Sequence, residues 1–287
     1  MLVGRGRFWV VSIFDAVLLI FYSLVLRESY APVLLAKEAK HLRKTTGRNY
    51  QTKFERMHPT FRKNISVSVV RPLKLLVTRP IIHFISILLA YNFGVYVVAL
   101  STFSAIYSTR YHKSETAGGL HYIAIAVGST IATQLGGPLI DRVWAHLKKK
   151  SGNVVPEFRV PLMIPGAVMM PAGLFIYGWA AEKEVAWIVV DIGAAIFSGG
   201  VQIGSNAMFA YLIDEFGEHS ASANASARAL SMAMGFGFPL FAPQLYETLG
   251  YGWGNSLLSF LYIAIGIPAP LLLWKWGAKI RAIGRPK

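Results

Sequence analysis

The stretch "LHYIAIAVGSTIATQLGGPLIDRVWAHLKKK" (residues 120–150) decides the fold class. From Leu120 to Ile140 it holds no Lys, Arg, Asp or Glu; then Asp141 and Arg142 stand side by side ahead of three lysines. A bilayer's hydrocarbon core is about 30 Å thick, and a helix rising about 1.5 Å per residue crosses it in about 20 residues. Six other runs have the same character: Phe8 to Leu26, Ile81 to Tyr107, Val160 to Ala181, Val185 to Ile213, Ala229 to Tyr246 and Leu249 to Trp274. The expectation is an all-α polytopic membrane protein with seven transmembrane helices.

Composition points the same way, with 54% hydrophobic and only 15% charged residues. Strands of a membrane barrel would alternate in segments of about ten residues, and no such alternation is visible. Gly and Pro recur inside the runs, as in "MIPGAVMMPAG" (163–173) and "GFGFPLFAP" (235–243). A soluble helix would break there, whereas neighbouring helices in a bundle re-satisfy the freed backbone groups.

Charge sets the expected orientation. The segment from Arg27 to Arg79 carries 13 Lys or Arg against 3 acids, and the linker after Ile140 and the tail from Lys275 carry 5 basic residues each. These alternate loops put the N-terminus outside and the C-terminus in the cytoplasm, by the positive-inside rule. Arg5 and Arg7 pull the other way but are outnumbered. The net charge of +15 is therefore assigned to anionic lipid at the cytoplasmic leaflet rather than to nucleic acid. The domain reading is a first helix (1–26), a basic cytoplasmic loop (27–79), a six-helix bundle (80–274) and a basic tail (275–287). Within the loop, "VLLAKEAKHLRK" (33–44) reads as an amphipathic interfacial helix, "ISVSVVRPLKLLVTRP" (65–80) as a lead-in helix, and "TTGRNYQTKFERMHP" (45–59) as mobile linker.

With no cysteine there is no disulfide framework, thiolate or Cys-based zinc site, and no P-loop, G-x-S-x-G or H-E-x-x-H motif occurs. No enzyme activity, cofactor or metal is expected. The sequons at Asn64 and Asn224 fall on the predicted cytoplasmic side, where glycosylation is not expected.

The remaining chemistry is polar groups inside the runs. Asp15 and Asp191 are the only intramembrane carboxylates, and a charge there costs at least about 2.5 to 3.5 kcal/mol. Asp191 reads either as a cavity or proton site, or as an interface-level acid reaching water. Uncharged candidates for a substrate cavity are Asn92, Tyr96, Gln134, Gln202, Asn206 and Gln244, with Asn92/Tyr96 and Gln202/Asn206 sharing helix faces at i, i+4. Interhelical hydrogen bonding is the competing role for each.

Four blocks carry a resemblance: "FWVVSIFDAVLLIFYSLVLRESYAPVLL" (8–35), "RPLKLLVTRPIIHFISILLAYNFGVYVVALSTF" (71–103), "PEFRVPLMIPGAVMMPAGLFIYGW" (156–179) and "FGFPLFAPQLYETLGYGWGNSLLSFLYIAIGIPAP" (236–270). They are similar to fungal drug/proton antiporters of the major facilitator superfamily. The resemblance implies that the first run corresponds to the family's sixth helix and the other six to its second six-helix half, five N-terminal helices having no counterpart here. It implies a small-molecule substrate exported in exchange for protons across the plasma membrane, with the proton gradient as energy source. A partner half or a homodimer could complete the cavity. "GGPLIDR" (136–142) resembles a G-x-L-x-D-R-type loop, which makes Gly136, Gly137, Asp141 and Arg142 a candidate gating loop. Two alternatives stand: a membrane fragment that transports nothing, and a seven-helix receptor, which the missing cysteine pair disfavours.

Overall fold

The structure, a computed structural model, describes residues 2–26, 28–53 and 61–283. The chain divides into two units, Met1–Ser66 and Val67–Lys287, which are taken separately.

In the first unit, α1 (Leu2–Val25) contains an apolar stretch from Trp9 to Val25. α2 (Ala31–Thr46) starts with Pro32 in its first turn, where a missing N–H costs nothing. It ends at Gly47, whose φ of 68° lets its N–H close back on the Arg43 carbonyl. α2 covers the amphipathic stretch read from sequence, with Lys37 and Lys40 exposed beside Leu34 and Leu35. Of the expected linker, residues 47–52 form no helix, and 54–60 lie outside the described residues.

The division falls inside α3 (Phe61–Thr78). The second unit continues with α4 (Pro80–Thr109), a short α5 (Glu115–Leu120), α6 (Tyr122–Ser151), a 3₁₀ segment (Pro156–Leu162), α7 (Met163–Glu182) and α8 (Trp187–Phe216). A 3₁₀ turn (Gly217–His219) leads into α9 (Ser220–Gly266), and α10 (Pro268–Ala282) closes the unit. Backbone geometry breaks α9 at Gly250, so residues 220–249 and 251–266 are two limbs, the second running on into α10. With α1, this makes seven membrane-crossing helices and no strand among the described residues.

One expectation is corrected. The segment 136–142 is not a loop: Gly136, Gly137, Asp141 and Arg142 all lie within α6, which runs on to Ser151. "VWAHLKKK" offers no breaker, its lysines sit favourably at a helix C-terminus, and the helix ends only where Gly152 adopts φ 72°.

Small residues set the spacing of the bundle. On α7 and α8, Gly166 faces the backbone of Gly200 and Gly204, and Gly173 faces Phe197. On α6, Gly128 meets Ala195 and Ser198 of α8. Such contacts bring backbones close in lipid, where dispersion and hydrogen bonds, rather than water exclusion, hold helices together.

The break at Gly250 is built by a distant carboxylate. Gly250 has φ 70° and ψ 175°, a combination open essentially to glycine alone. Glu182 Oε2, at the end of α7, accepts the N–H of Tyr251 at 2.7 Å and so caps the second limb. A Cβ at Gly250 would stand 2.7 Å from that same oxygen. Gly250→Ala is expected to cost about 1–3 kcal/mol, through backbone strain and displacement of the cap, read as a lowered melting temperature of the detergent-solubilised protein.

Candidate functional site

α4, α8 and the first limb of α9 enclose a cavity of about 260 Å³. Its wall carries Phe93 and Tyr96 from α4, Gln202, Ser205, Asn206 and Phe209 from α8, and Arg228, Ser231 and Met232 from α9. Gln202 Nε2 donates to Asn206 Oδ1 at 3.0 Å, so the i, i+4 pair holds its own orientation. The Arg228 guanidinium lies 4.7 Å from the Phe209 ring centroid, a cation–π distance.

Three of the six sequence-nominated cavity residues, Tyr96, Gln202 and Asn206, thus come together. Asn92, one turn before Tyr96, is buried behind the wall, and neither of its amide atoms has a hydrogen bond of normal geometry, although the Tyr262 hydroxyl is nearby. Gln134 on α6 and Gln244 on α9 are exposed and line no part of this cavity. Asp15 is exposed on α1, with no partner among the described residues.

A second cavity of about 310 Å³ shares Asn206 and Phe209 with the first and is lined by Gly137, Asp141, Arg159 and Asp214. It opens onto an ion-pair cluster at the basic end of the bundle. Arg159, in the 3₁₀ segment, donates to Asp141 of α6 and Asp214 of α8, both at 2.7 Å. Burial works against the charge on this guanidinium, but its bonds to Asp214 and Asp141 outweigh that and hold its pKa above the ordinary value. Arg281 of α10 grips Glu157 with two bonds, at 2.8 and 2.9 Å, and reaches Glu215 of α8 at 2.9 Å. Arg79, just before α4, stands 3.5 Å from Glu215. Four elements, the 3₁₀ segment, α6, α8 and α10, are tied together by charge-assisted hydrogen bonds, the strongest class available to side chains, and Arg79 adds an ion pair to them.

In the nominated quartet, Asp141 belongs to this cluster and Arg142 is exposed, outside its ion pairs. A Cβ at Gly136 would meet Ile203 at 3.3 Å, whereas Gly137 has open space around it. Sequence reading missed Glu157 and Arg159, although "PEFRVP" offered a signal: opposite charges two residues apart, fenced by prolines at the mouth of an apolar run.

At the opposite end, Asp191 is neither free nor snorkelling. Tyr107 of α4 donates to its Oδ1 at 2.5 Å, and His121, just before α6, lies 2.8 Å from Oδ2. The Tyr107 and His121 rings stack with centroids 3.8 Å apart, and Trp187 meets the imidazole edge-on. His121 and Asp191 side chains retain 14% and 13% of their exposure, and both line an open cavity of about 640 Å³ together with Lys113 and Trp187. Nearby, Tyr111 donates to the Val185 carbonyl, and burial raises its phenol pKa above the ordinary value. His121 was passed over as one histidine among seven, though it was the one imidazole in a run without formal charge.

The sequence profile of the Major Facilitator Superfamily matches residues 2–239. This chain belongs to that superfamily. Among curated relatives, the probable efflux pump mfs2 of Aspergillus flavus is 43% identical over 281 residues, covering 96% of this chain and 66% of that protein. The uncharacterized transporter C1529.01 of Schizosaccharomyces pombe is 37% identical, over 96% of this chain and 57% of its own length. The efflux pump vrtL of Penicillium aethiopicum is 36% identical, over 98% and 56%. This facilitator chain therefore spans about half to two thirds of the length of the relatives it matches. No solved structure matches it. Family and apolar helices together make it an integral membrane protein of a transporter family.

Proposed function

We propose that this facilitator chain takes part in proton-driven export of an amphipathic small molecule. The carrying observation is the cavity between α4, α8 and α9, where aromatic rings and a few amide and hydroxyl groups surround a space suited to an apolar body with polar handles. Two relatives, one named a probable efflux pump and the other an efflux pump, support the direction of transport. Six of its eleven lining residues, Tyr96, Gln202, Ser205, Asn206, Arg228 and Ser231, carry polar groups, so the rings supply stacking and these groups supply orientation.

The ion-pair cluster at the basic end serves as a latch in this reading. Four elements joined through Arg159 and Arg281 form one state, and their separation opens the other, which gives the bistable element that alternating access requires. Asp141 with Arg159 takes the part that the sequence assigned to Asp141 with Arg142. The latch end faces the cytoplasm, with residues 27–79 and 275–287 against anionic lipid, and the N-terminus lies outside the plasma membrane. Asp191, held at the far end by Tyr107 and His121, is the proton-accepting group of the exchange.

Accumulation of the neutral fluorescent amphiphile Nile red, in cells lacking their own efflux pumps, tests this. Cells expressing the chain are expected to retain less dye than vector controls, and a protonophore is expected to erase the difference. Arg142→Ala should behave as wild type, while Arg159→Ala and Asp191→Asn should raise retention to the control level. Equal retention with and without the chain sinks the transport reading; efflux unchanged in Arg159→Ala and Asp191→Asn sinks the roles given to those residues.

A further inference from the structure

Among the arginines of the second unit, Arg79, Arg110, Arg159 and Arg281 each stand within 4.0 Å of a carboxylate. Among the described residues Arg71, Arg142 and Arg228 have no such partner, and Arg228, although exposed, is the one of the three that lines the cavity between α4, α8 and α9, with the Phe209 ring beside it and no Asp or Glu in the wall. A guanidinium is charged at every physiological pH, and its fork of N–H donors matches a carboxylate in shape and charge. Around it the wall supplies the Asn206 amide nitrogen, able to donate while its oxygen accepts from Gln202, and the rings of Phe93, Tyr96 and Phe209; the Ser231 hydroxyl donates to the Ala227 carbonyl at 2.9 Å. A cationic guest would meet an uncompensated like charge; a neutral one would leave the fork unused.

We infer that this cavity is selective for an aromatic organic acid, whose anionic group docks on Arg228 and whose ring system packs among Phe93, Tyr96 and Phe209. The inference deepens the export reading by naming a substrate class and rests on it for the idea that the cavity holds cargo. Arg228 is the specificity-determining residue, and the Asn206 amide nitrogen completes the anion's hydrogen bonds. A carboxylate on a small molecule and the phosphate of an anionic lipid present the same chemistry to the fork, so the source is decided by the membrane composition used in the test.

The test is equilibrium binding to the purified full chain in nanodiscs of phosphatidylcholine, without any transport step. The probes are 2-naphthoate, its neutral isostere 2-naphthamide and the cation 2-naphthylmethylammonium. Arg228 is exposed at the cavity's rim, where water screens an ion pair, so naphthoate is expected to bind roughly twofold to fivefold more tightly than the amide and the ammonium more weakly than either. Arg228→Gln should erase the preference and Arg228→Lys should keep most of it. Wild-type binding without preference for naphthoate overturns the inference, and so does a preference that survives Arg228→Gln. Repeating the wild-type measurement with phosphatidylglycerol separates the sources: unchanged naphthoate affinity supports a small-molecule acid, while loss to the Arg228→Gln level assigns the site to lipid and overturns it. Because an anion-selective cavity need not carry a neutral dye, efflux of naphthoate from the cells of the Nile red assay is measured as well: anion-selective binding by a chain that moves neither Nile red nor naphthoate would sink the export reading and leave this one standing. Export without anion preference would do the reverse.

Discussion

Gly173→Val is expected to leave little folded protein in the membrane fraction. A Cβ at Gly173 would lie 2.2 Å from the backbone nitrogen of Phe197 and 2.5 Å from its Cα. Those are main-chain atoms in the middle of α8, so no rotamer change relieves the clash, and α7 and α8 must move apart along their shared face. That face also holds the Gly166 contact with Gly204 and the Gly200 contact with Met170, which would open with it. Overpacking of a single methyl in a core commonly costs about 1–3 kcal/mol, and a branched side chain against fixed backbone should exceed about 3 kcal/mol. The measurement is the monodisperse fraction by fluorescence-detected size exclusion. Gly137→Ala, with open space around it, is the matched control and should behave as wild type. Normal yield and melting for Gly173→Val would show that the α7–α8 spacing is not what it is taken to be.

Arg281→Ala should be the most damaging change at the basic end. Glu157 is buried and depends on Arg281 for both of its strong bonds; its remaining partner is the Tyr211 hydroxyl at 3.4 Å. The Glu215 side chain retains 1% of its exposure and would keep Arg79 at 3.5 Å while losing Arg281 at 2.9 Å. Removing one member of a buried ion pair typically costs about 3–5 kcal/mol, because the other charge is left without compensation. A large fall in melting temperature is expected for Arg281→Ala, partly recovered in the double variant with Glu157→Gln, which removes the stranded charge. Arg281→Lys should fall between them, since an ammonium cannot reproduce the two-bond grip on Glu157. A double variant no more stable than Arg281→Ala would show that the stranded Glu157 charge is not the source of the loss.

The helices themselves were legible. Each apolar run reappears as a helix, and the last two are separated at Gly250, two residues beyond the Glu247–Thr248 gap at which sequence reading separated them. What extended beyond the runs was less legible. α6 continues three turns past Ile140, because helix propensity and a favourable C-terminal charge distribution act where hydropathy has already ended. The candidate site was read in part. Tyr96, Gln202 and Asn206 share a cavity, whereas Gln134 and Gln244 were equally polar and equally deep in their runs, and nothing in their neighbours distinguishes them.

The sequence by itself determined that this chain lives in a bilayer and where it crosses. That follows from a local, additive cost: every backbone group in hydrocarbon must be bonded within its own segment, and every charge there is penalised position by position. Which face of each helix meets another was decided only by the tertiary structure. In a soluble helix the apolar stripe marks the buried face, but α7 and α8 are apolar all round, because lipid and protein interior make the same demand. Partners far apart in the chain, Arg281 with Glu157 or His121 with Asp191, meet because glycines such as Gly128, Gly166 and Gly173 let particular helix faces approach. That choice is made by close packing of shapes, and no run of consecutive residues contains it.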